Sequence, residues 1–230
     1  MKAIKNKGLK AKEKGPQPGQ SYTEWYAEKM DRRIAKDPDR FYDPWRKYQL
    51  QYLQKHGLTE TSELLDYGCG PCGAGVFMIE FLEADQYTGA DISSACIQRA
   101  QEYLQSNGLM EKRPNLVHLP GGDLSPLRGK TFDIIWAQSV LTHMPADEVC
   151  QLIREVPALL RENGGTFLAT FLLSPDTIHQ EGAKNFFYTA EFFDAACPAS
   201  GLKHSILGDY SHPSPNALPD REYGVLQLAK

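Results

Sequence analysis

The stretch Leu64-Leu65-Asp66-Tyr67-Gly68-Cys69-Gly70-Pro71-Cys72-Gly73-Ala74-Gly75 gathers an acid, four glycines and two cysteines into twelve residues. Glycine admits positive φ and lets backbone approach a ligand closely. Gly68, Gly70 and Gly73 spell G-x-G-x-x-G, a pattern that cradles a pyrophosphate when it follows a strand and opens a helix. A pyrophosphate site has little use for an acid at its mouth, yet Asp66 stands two residues before the first glycine. A carboxylate there suits a ligand that carries an ammonium group. Cys69-Gly70-Pro71-Cys72 also spells the dithiol motif C-G-P-C, which works through a thiolate whose pKa is lowered at a helix N-terminus. Its flanks differ from that chemistry: Asp66-Tyr67-Gly68 precedes it where a tryptophan is expected, and the chain is about twice the length of a compact dithiol domain.

Three readings of the loop therefore stand side by side: dinucleotide binding, dithiol redox chemistry and a site for an ammonium-bearing ligand. The elements around the loop narrow them. Ser21 opens a helix with Glu24 three residues on, a capping box, and that helix runs to about Ala35. Asp37-Pro38-Asp39 breaks it. Asp43 and Pro44 start a second helix in the N-cap and N1 positions, and Gly57 ends it. From residue 62 strands and helices alternate. Strands are expected near Glu63–Asp66, Tyr87–Ala90, Asn115–Leu119, Phe132–Ala137, Thr166–Leu172, Leu202–Leu207 and Tyr223–Leu228. Helices are expected over Gly73–Leu82, Ser93–Asn107, Ala146–Arg161 and, capped by Thr189, up to Ala196. Such alternation implies an α/β fold with parallel strands, right-handed crossovers and helices on both faces. Ligands of such sheets bind at the carboxyl ends of the strands. The chain divides into a Lys-rich tail and linker (1–20), N-terminal helices (21–58) and an α/β domain (59–230).

Charge bears on partners. Residues 1–15 hold six lysines and one glutamate, so the tail carries +5 and the rest −9 of a net −4. An acidic body disfavours nucleic acid, which needs a concentrated basic face. No apolar run reaches the ~20 residues of a membrane span, so no membrane partner is expected. Five cysteines, an odd number, and no signal peptide point to a reducing, cytoplasmic setting without a disulfide framework. No cluster of His and carboxylates has metal-ligand spacing. Oligomeric state is open.

The glycine stretch resembles the first motif of class I S-adenosylmethionine-dependent methyltransferases of the small-molecule type: an acid, one residue, then G-x-G. The likeness continues in order. Tyr87-Thr88-Gly89-Ala90-Asp91-Ile92-Ser93 is similar to the second motif, with an acid ending strand two. Gly122-Asp123-Leu124 resembles the third, Phe132 to Ala137 the fourth strand, Leu160 to Gly165 the turn before the fifth, and Tyr188 to Phe193 the helix start before the last strands. The resemblance spans about Glu63 to Lys230. It implies a Rossmann-like, doubly wound sheet of seven strands, mostly parallel with an antiparallel last strand. It implies S-adenosylmethionine as cofactor, held by Asp66, Gly68, Gly70, Asp91, Ile92, Asp123, Leu124 and Gln138. Asp91 would accept both ribose hydroxyls. Asp133 is expected to serve the start of its strand rather than the ligand.

Gln138-Ser139-Val140-Leu141-Thr142-His143-Met144 resembles the S-V-L-x-H-x form of small-molecule members, which makes His143 the candidate base; packing against the loop is the competing role. His118 reads as structural, and His204 and His212 have no assigned role. No Asn-Pro-Pro-Tyr run follows strand four, and no paired-glutamate loop is visible. With the acidic body, this favours a small-molecule methyl acceptor. Tyr22, Trp25 and Tyr26 are candidates to bind it, with Leu173–Phe187 as a second, loop-like wall. A non-catalytic S-adenosylmethionine-binding protein and an NAD-dependent oxidoreductase are the alternatives.

Overall fold

A computed structural model describes residues 14–211 and 222–230. Most of the tail, and His212, lie outside them. Ser21 accepts from the backbone of Glu24 while the Glu24 side chain accepts from the Ser21 backbone, so the capping box closes and α1 runs Tyr22–Lys36. Pro44 begins a short 3-10 turn (Pro44–Arg46) that leads into α2 (Lys47–Lys55). Gly57, at φ +99, ends that segment.

β1 (Leu64–Tyr67), β2 (Tyr87–Asp91) and β4 (Ile134–Ala137) are buried along their whole length, as expected of parallel strands covered on both faces. α3 (Gly75–Phe81), α4 (Ser94–Ser106) and β3 (Asn115–His118) complete the first half. α5 (Ala146–Glu155) stops earlier than the sequence suggests. Pro157 cannot continue an α-helical ladder, and Val156–Leu159 tightens into a 3-10 turn. β5 (Thr166–Leu173), β8 (Lys203–Leu207) and β9 (Tyr223–Ala229) follow, and α6 (Ala190–Ala196) is capped by Thr189.

The main path of the sheet is β3-β2-β1-β4-β5-β9-β8. β1 to β5 are parallel, and β9 lies antiparallel between β5 and β8. The seven expected strands are present. Two more were not expected: β6 (His179–Glu181) and β7 (Asn185–Tyr188) form a hairpin where a loop was anticipated. β7 pairs with Leu172 and Leu173 of β5, beyond the point where β4 ends, so the hairpin rises over the carboxyl edge of the sheet. Apolar cores fill both faces, one centred on Phe167, Ile135 and α5, the other on Trp136, Leu53 and Met78. No described helix is long and apolar enough to cross a membrane.

Candidate functional site

A cavity of about 410 Å³ opens over the carboxyl ends of β1, β2 and β4. The two strand-end acids form its floor. Asp91 Oδ2 accepts from the amide of Gly70 (2.8 Å) and Oδ1 from the amide of Ser93 (2.8 Å), which leaves each oxygen further acceptor capacity. Asp66 Oδ2 accepts from the Tyr87 hydroxyl at 2.8 Å. Burial pushes Asp66 up to about 7 and Asp91 up to about 6, with Asp91 adding to the rise at Asp66 and Asp31 to the rise at Asp91. Two desolvated carboxyls facing one cavity are receptive to cationic and hydroxyl-bearing ligands.

The glycine loop needs its glycines at specific points. Gly68 sits at φ +78, and a Cβ there would overlap Val140 Cγ2; a Cβ at Gly73 would overlap the carbonyl of Phe41. That second approach is close because residues 37–46 form a strap across the loop. Tyr42 stacks on Tyr103 (3.5 Å between rings, 7° apart) and donates to the Pro71 carbonyl at 2.8 Å. Arg99 pairs with Asp39 at 2.6 Å. Below the strap runs a polar chain: Trp136 Nε1 donates to Gln49 Oε1 (2.8 Å), and the Gln49 amide lies 3.4 Å from Gln138 Oε1.

α1 roofs the other side. Tyr22, Tyr26, Met30 and Arg33, spaced four, four and three residues apart, share one helix face and line the cavity. Asp31, on the opposite face, accepts from the Ser93 hydroxyl at 2.6 Å, and Tyr22 donates to the Ala183 carbonyl at 3.1 Å. The helix is thus tied to α4 at one flank and to the β6–β7 hairpin at the other.

His143 stacks on Tyr26 at 5.1 Å. Its Nδ1 lies 2.7 Å from the Lys184 carbonyl. A carbonyl only accepts, so Nδ1 carries the proton and Nε2 keeps a bare lone pair. Burial lowers the imidazole to about 4, with Lys184, Lys29 and Arg33 adding to the fall, so the ring is neutral at pH 7.

Asp66, Gly68, Gly70, Asp91, Ile92, Leu124, Gln138, His143, Tyr22 and Tyr26 all line this cavity. Two expected site residues do not. Asp123 turns away and accepts from the amide of Ser125 at 2.9 Å, because positive φ at Gly121 and Gly122 swings the chain before it. Trp25 is buried behind Tyr22 and Tyr26, with the Lys29 ammonium 4.9 Å from its ring. Nor does Leu173–Phe187 line the cavity; through Ala183 and Lys184 it braces Tyr22 and His143 instead. Arg33, Arg40, Arg46 and Gln49 line the cavity and were not anticipated. Asp133 accepts from the Glu63 amide at 2.8 Å at the start of the sheet, away from the cavity. Among the described residues no group of three metal-ligating side chains forms.

Residues 64–164 match the family model of a methyltransferase domain. A probable S-adenosylmethionine-dependent methyltransferase of Saccharomyces cerevisiae is 29% identical over 140 residues, covering 60% of this chain and 45% of that one. The matched domain and this relative support a class I S-adenosylmethionine-dependent methyltransferase. The N-terminal Xaa-Pro-Lys N-methyltransferase 1 of Bos taurus is 26% identical over 194 residues, 80% of this chain and 79% of that one. The magnesium protoporphyrin IX methyltransferase of Synechocystis, solved with bound S-adenosylmethionine, superposes with a TM-score of 0.68 at 13% identity, over 94% of this chain and 100% of that one. The chain spans less than half the length of the first curated relatives it matches, one of them a ribosomal RNA small subunit methyltransferase.

The C-G-P-C pair faces inward. Both thiols are free and buried, Cys69 donating to the Gly70 carbonyl at 3.3 Å and Cys72 lying 3.5 Å from the Tyr87 hydroxyl. The Cys72 thiol and burial hold the Cys69 thiol well above its usual range. That is the opposite of the thiolate stabilisation a dithiol catalyst needs.

Proposed function

We propose that this chain transfers the methyl group of S-adenosylmethionine to a small-molecule acceptor. The reading rests on one observation: two buried strand-end acids, Asp66 and Asp91, share a cavity with the neutral, oriented ring of His143. When bound, the sulfonium supplies both the methyl group and its leaving group. The donor set fits such a ligand. Asp66 would meet the ammonium, Asp91 the ribose hydroxyls with its spare acceptor capacity, and Ile92 and Leu124 the faces of the base. His143 Nε2 would take a proton from the acceptor if the attacking atom carries one. α1 and the strap exclude water and hold the acceptor in line, and positioning of this kind supplies as much as ~7–11 kcal/mol. The closed roof and acidic body support a small acceptor over a macromolecule.

Calorimetry with S-adenosylhomocysteine and with NAD, followed by transfer of labelled methyl to fractionated extract, tests the proposal. Binding of the first compound alone, with label in low-mass products, is the expected result. Binding of neither, or of NAD alone, sinks the methyl-transfer reading. Label on ribosomal RNA or on a peptide with an N-terminal Xaa-Pro-Lys sequence sinks the small acceptor. Binding without transfer to any fraction turns the chain into a binding module.

A further inference from the structure

Arg128 and Arg154, exposed and outside the cavity, form no ion pair among the described residues; seven other arginines separate into two groups. Arg32, Arg99, Arg113 and Arg161 lie outside the cavity, and each pairs with a carboxylate. Arg33, Arg40 and Arg46 line the cavity, and among the described residues none of the three has a carboxylate within ion-pair distance. Among the described residues, the side-chain hydrogen bond of Arg33 goes to Met30 Sδ at 3.9 Å. Arg40 rests 5.4 Å from the Phe41 ring. Arg46 is half-buried between the rings of Trp45 (4.7 Å) and Phe41 (5.5 Å), and its buried Nε has no acceptor. Guanidinium groups withdrawn from water want an anion. Arg40 is exposed to solvent; in a chain with 29 acids against 25 Lys and Arg, the half-buried Arg33 and Arg46, without an acid of their own, mark places where a ligand supplies it.

Four of the cavity's five acids are committed elsewhere, Glu155 by accepting from Gln151 at 2.9 Å. Asp66 and Asp91 hold the floor, and Glu148 accepts from Thr23. Asp43 and Asp66 act on Arg46, whereas the charges that act on His143 are Lys184, Lys29 and Arg33, all cationic. The cavity is therefore acidic at the strand ends and basic at the His143 end. The cosubstrate brings a single carboxylate. Arg46, whose Cδ lies 3.2 Å from where a Cβ on Gly73 would stand, is the arginine beside the glycine loop and the one placed for it. Arg33 is left over. Helical side chains lean toward the N-terminus, and the Arg33–Met30 contact shows this one doing so, back toward Tyr26 and His143.

We infer that the methyl acceptor carries an anionic group, a carboxylate or a phosphate, held by Arg33 next to His143. The inference rests on the methyl-transfer reading and names its substrate class. The aromatic side chains Tyr22 and Tyr26 flank the same space, so the acceptor also presents a flat or apolar body.

Calorimetry on the protein saturated with S-adenosylhomocysteine tests it, with benzoate and phenyl phosphate as anionic probes and benzamide and benzyl alcohol as their neutral counterparts. At least one anion is expected to bind tenfold or more tighter than its neutral counterpart, and which one does so separates carboxylate from phosphate recognition. Arg33→Gln should abolish that preference and Arg33→Lys should keep part of it, while S-adenosylhomocysteine affinity and the thermal midpoint stay unchanged in both. Arg46→Gln should weaken S-adenosylhomocysteine itself. Equal binding of charged and neutral probes, no binding of either anion, or a preference that survives Arg33→Gln overturns the inference. Failure of S-adenosylhomocysteine to bind the wild-type protein would instead overturn the methyl-transfer reading.

Discussion

The amide of Gly70 donates to Asp91 Oδ2 at 2.8 Å, so the acid that ends β2 also anchors the glycine loop that follows β1. Asp91→Ala therefore removes a proposed ribose partner and a loop tether together. Affinity for S-adenosylhomocysteine should fall by ~1–3 kcal/mol, the usual cost of orphaned polar groups. Calorimetry measures it, and unchanged affinity would show that the ribose lies elsewhere.

Much of this arrangement is written in local signals. Ser21 with Glu24, Pro44, Gly57 and Thr189 act within a turn of themselves, so their helix boundaries are readable from neighbours alone. Asp66 and Asp91 end apolar strands, and strand ends in a parallel sheet face one edge. Asp123 differs because its direction depends on two glycines turning the chain at positive φ. The β6–β7 hairpin has strands of three and four residues, too short for an alternating pattern, and its pairing with β5 exists only in the folded sheet. Arg33 and Arg46 were invisible for a related reason: their lack of a carboxylate partner is a property of three-dimensional neighbours, and no spacing encodes it.

Asp66 sets a pH dependence. Burial raises it to about 7, above the ordinary carboxylate value, so between roughly pH 4 and 7 the folded protein holds a proton that the unfolded chain has lost. The ligand-free protein should lose stability as pH rises through that window. An ammonium-bearing ligand favours the ionised acid, so S-adenosylhomocysteine should bind more tightly as pH rises from 6 to 8, with proton release near pH 7. Calorimetry in buffers of different ionisation enthalpy reads that release, and Asp66→Asn should remove it.

His143 titrates on the other side. Burial lowers it to about 4, so the folded state refuses a proton that the unfolded chain accepts below about 6.5. Its contribution to stability is present above that value and is lost as pH falls toward 4. If it is the base, His143→Ala should slow methyl transfer by ~10²-fold or more with S-adenosylhomocysteine affinity retained. Single-turnover rates with saturating labelled cosubstrate check this, and full activity would leave His143 as a packing residue on Tyr26.

Gly68→Ala should be costly twice over. The backbone there has φ +78, a region L side chains avoid, and the added methyl overlaps Val140 on the loop that leads to His143. Strain of this kind costs ~1–3 kcal/mol, so the thermal midpoint should drop and S-adenosylhomocysteine binding should weaken. A fully stable, tightly binding variant would mean that the Val140 loop yields without effort.

The strap can be loosened without touching the acids. Tyr42 holds it by a ring stack on Tyr103 and by a hydroxyl donated to Pro71. Tyr42→Phe keeps the stack and removes a hydrogen bond worth ~1 kcal/mol; Tyr42→Ala removes both. Because the strap lies across the glycine loop, the two variants should raise the dissociation rate of S-adenosylhomocysteine in that order, leave association nearly unchanged, and lower the thermal midpoint less than Gly68→Ala does. Stopped-flow displacement separates the two rates. An equal effect of both variants would assign the hold of the strap to the hydroxyl alone, since the ring's contacts with Tyr103 and Arg99 are what distinguish them.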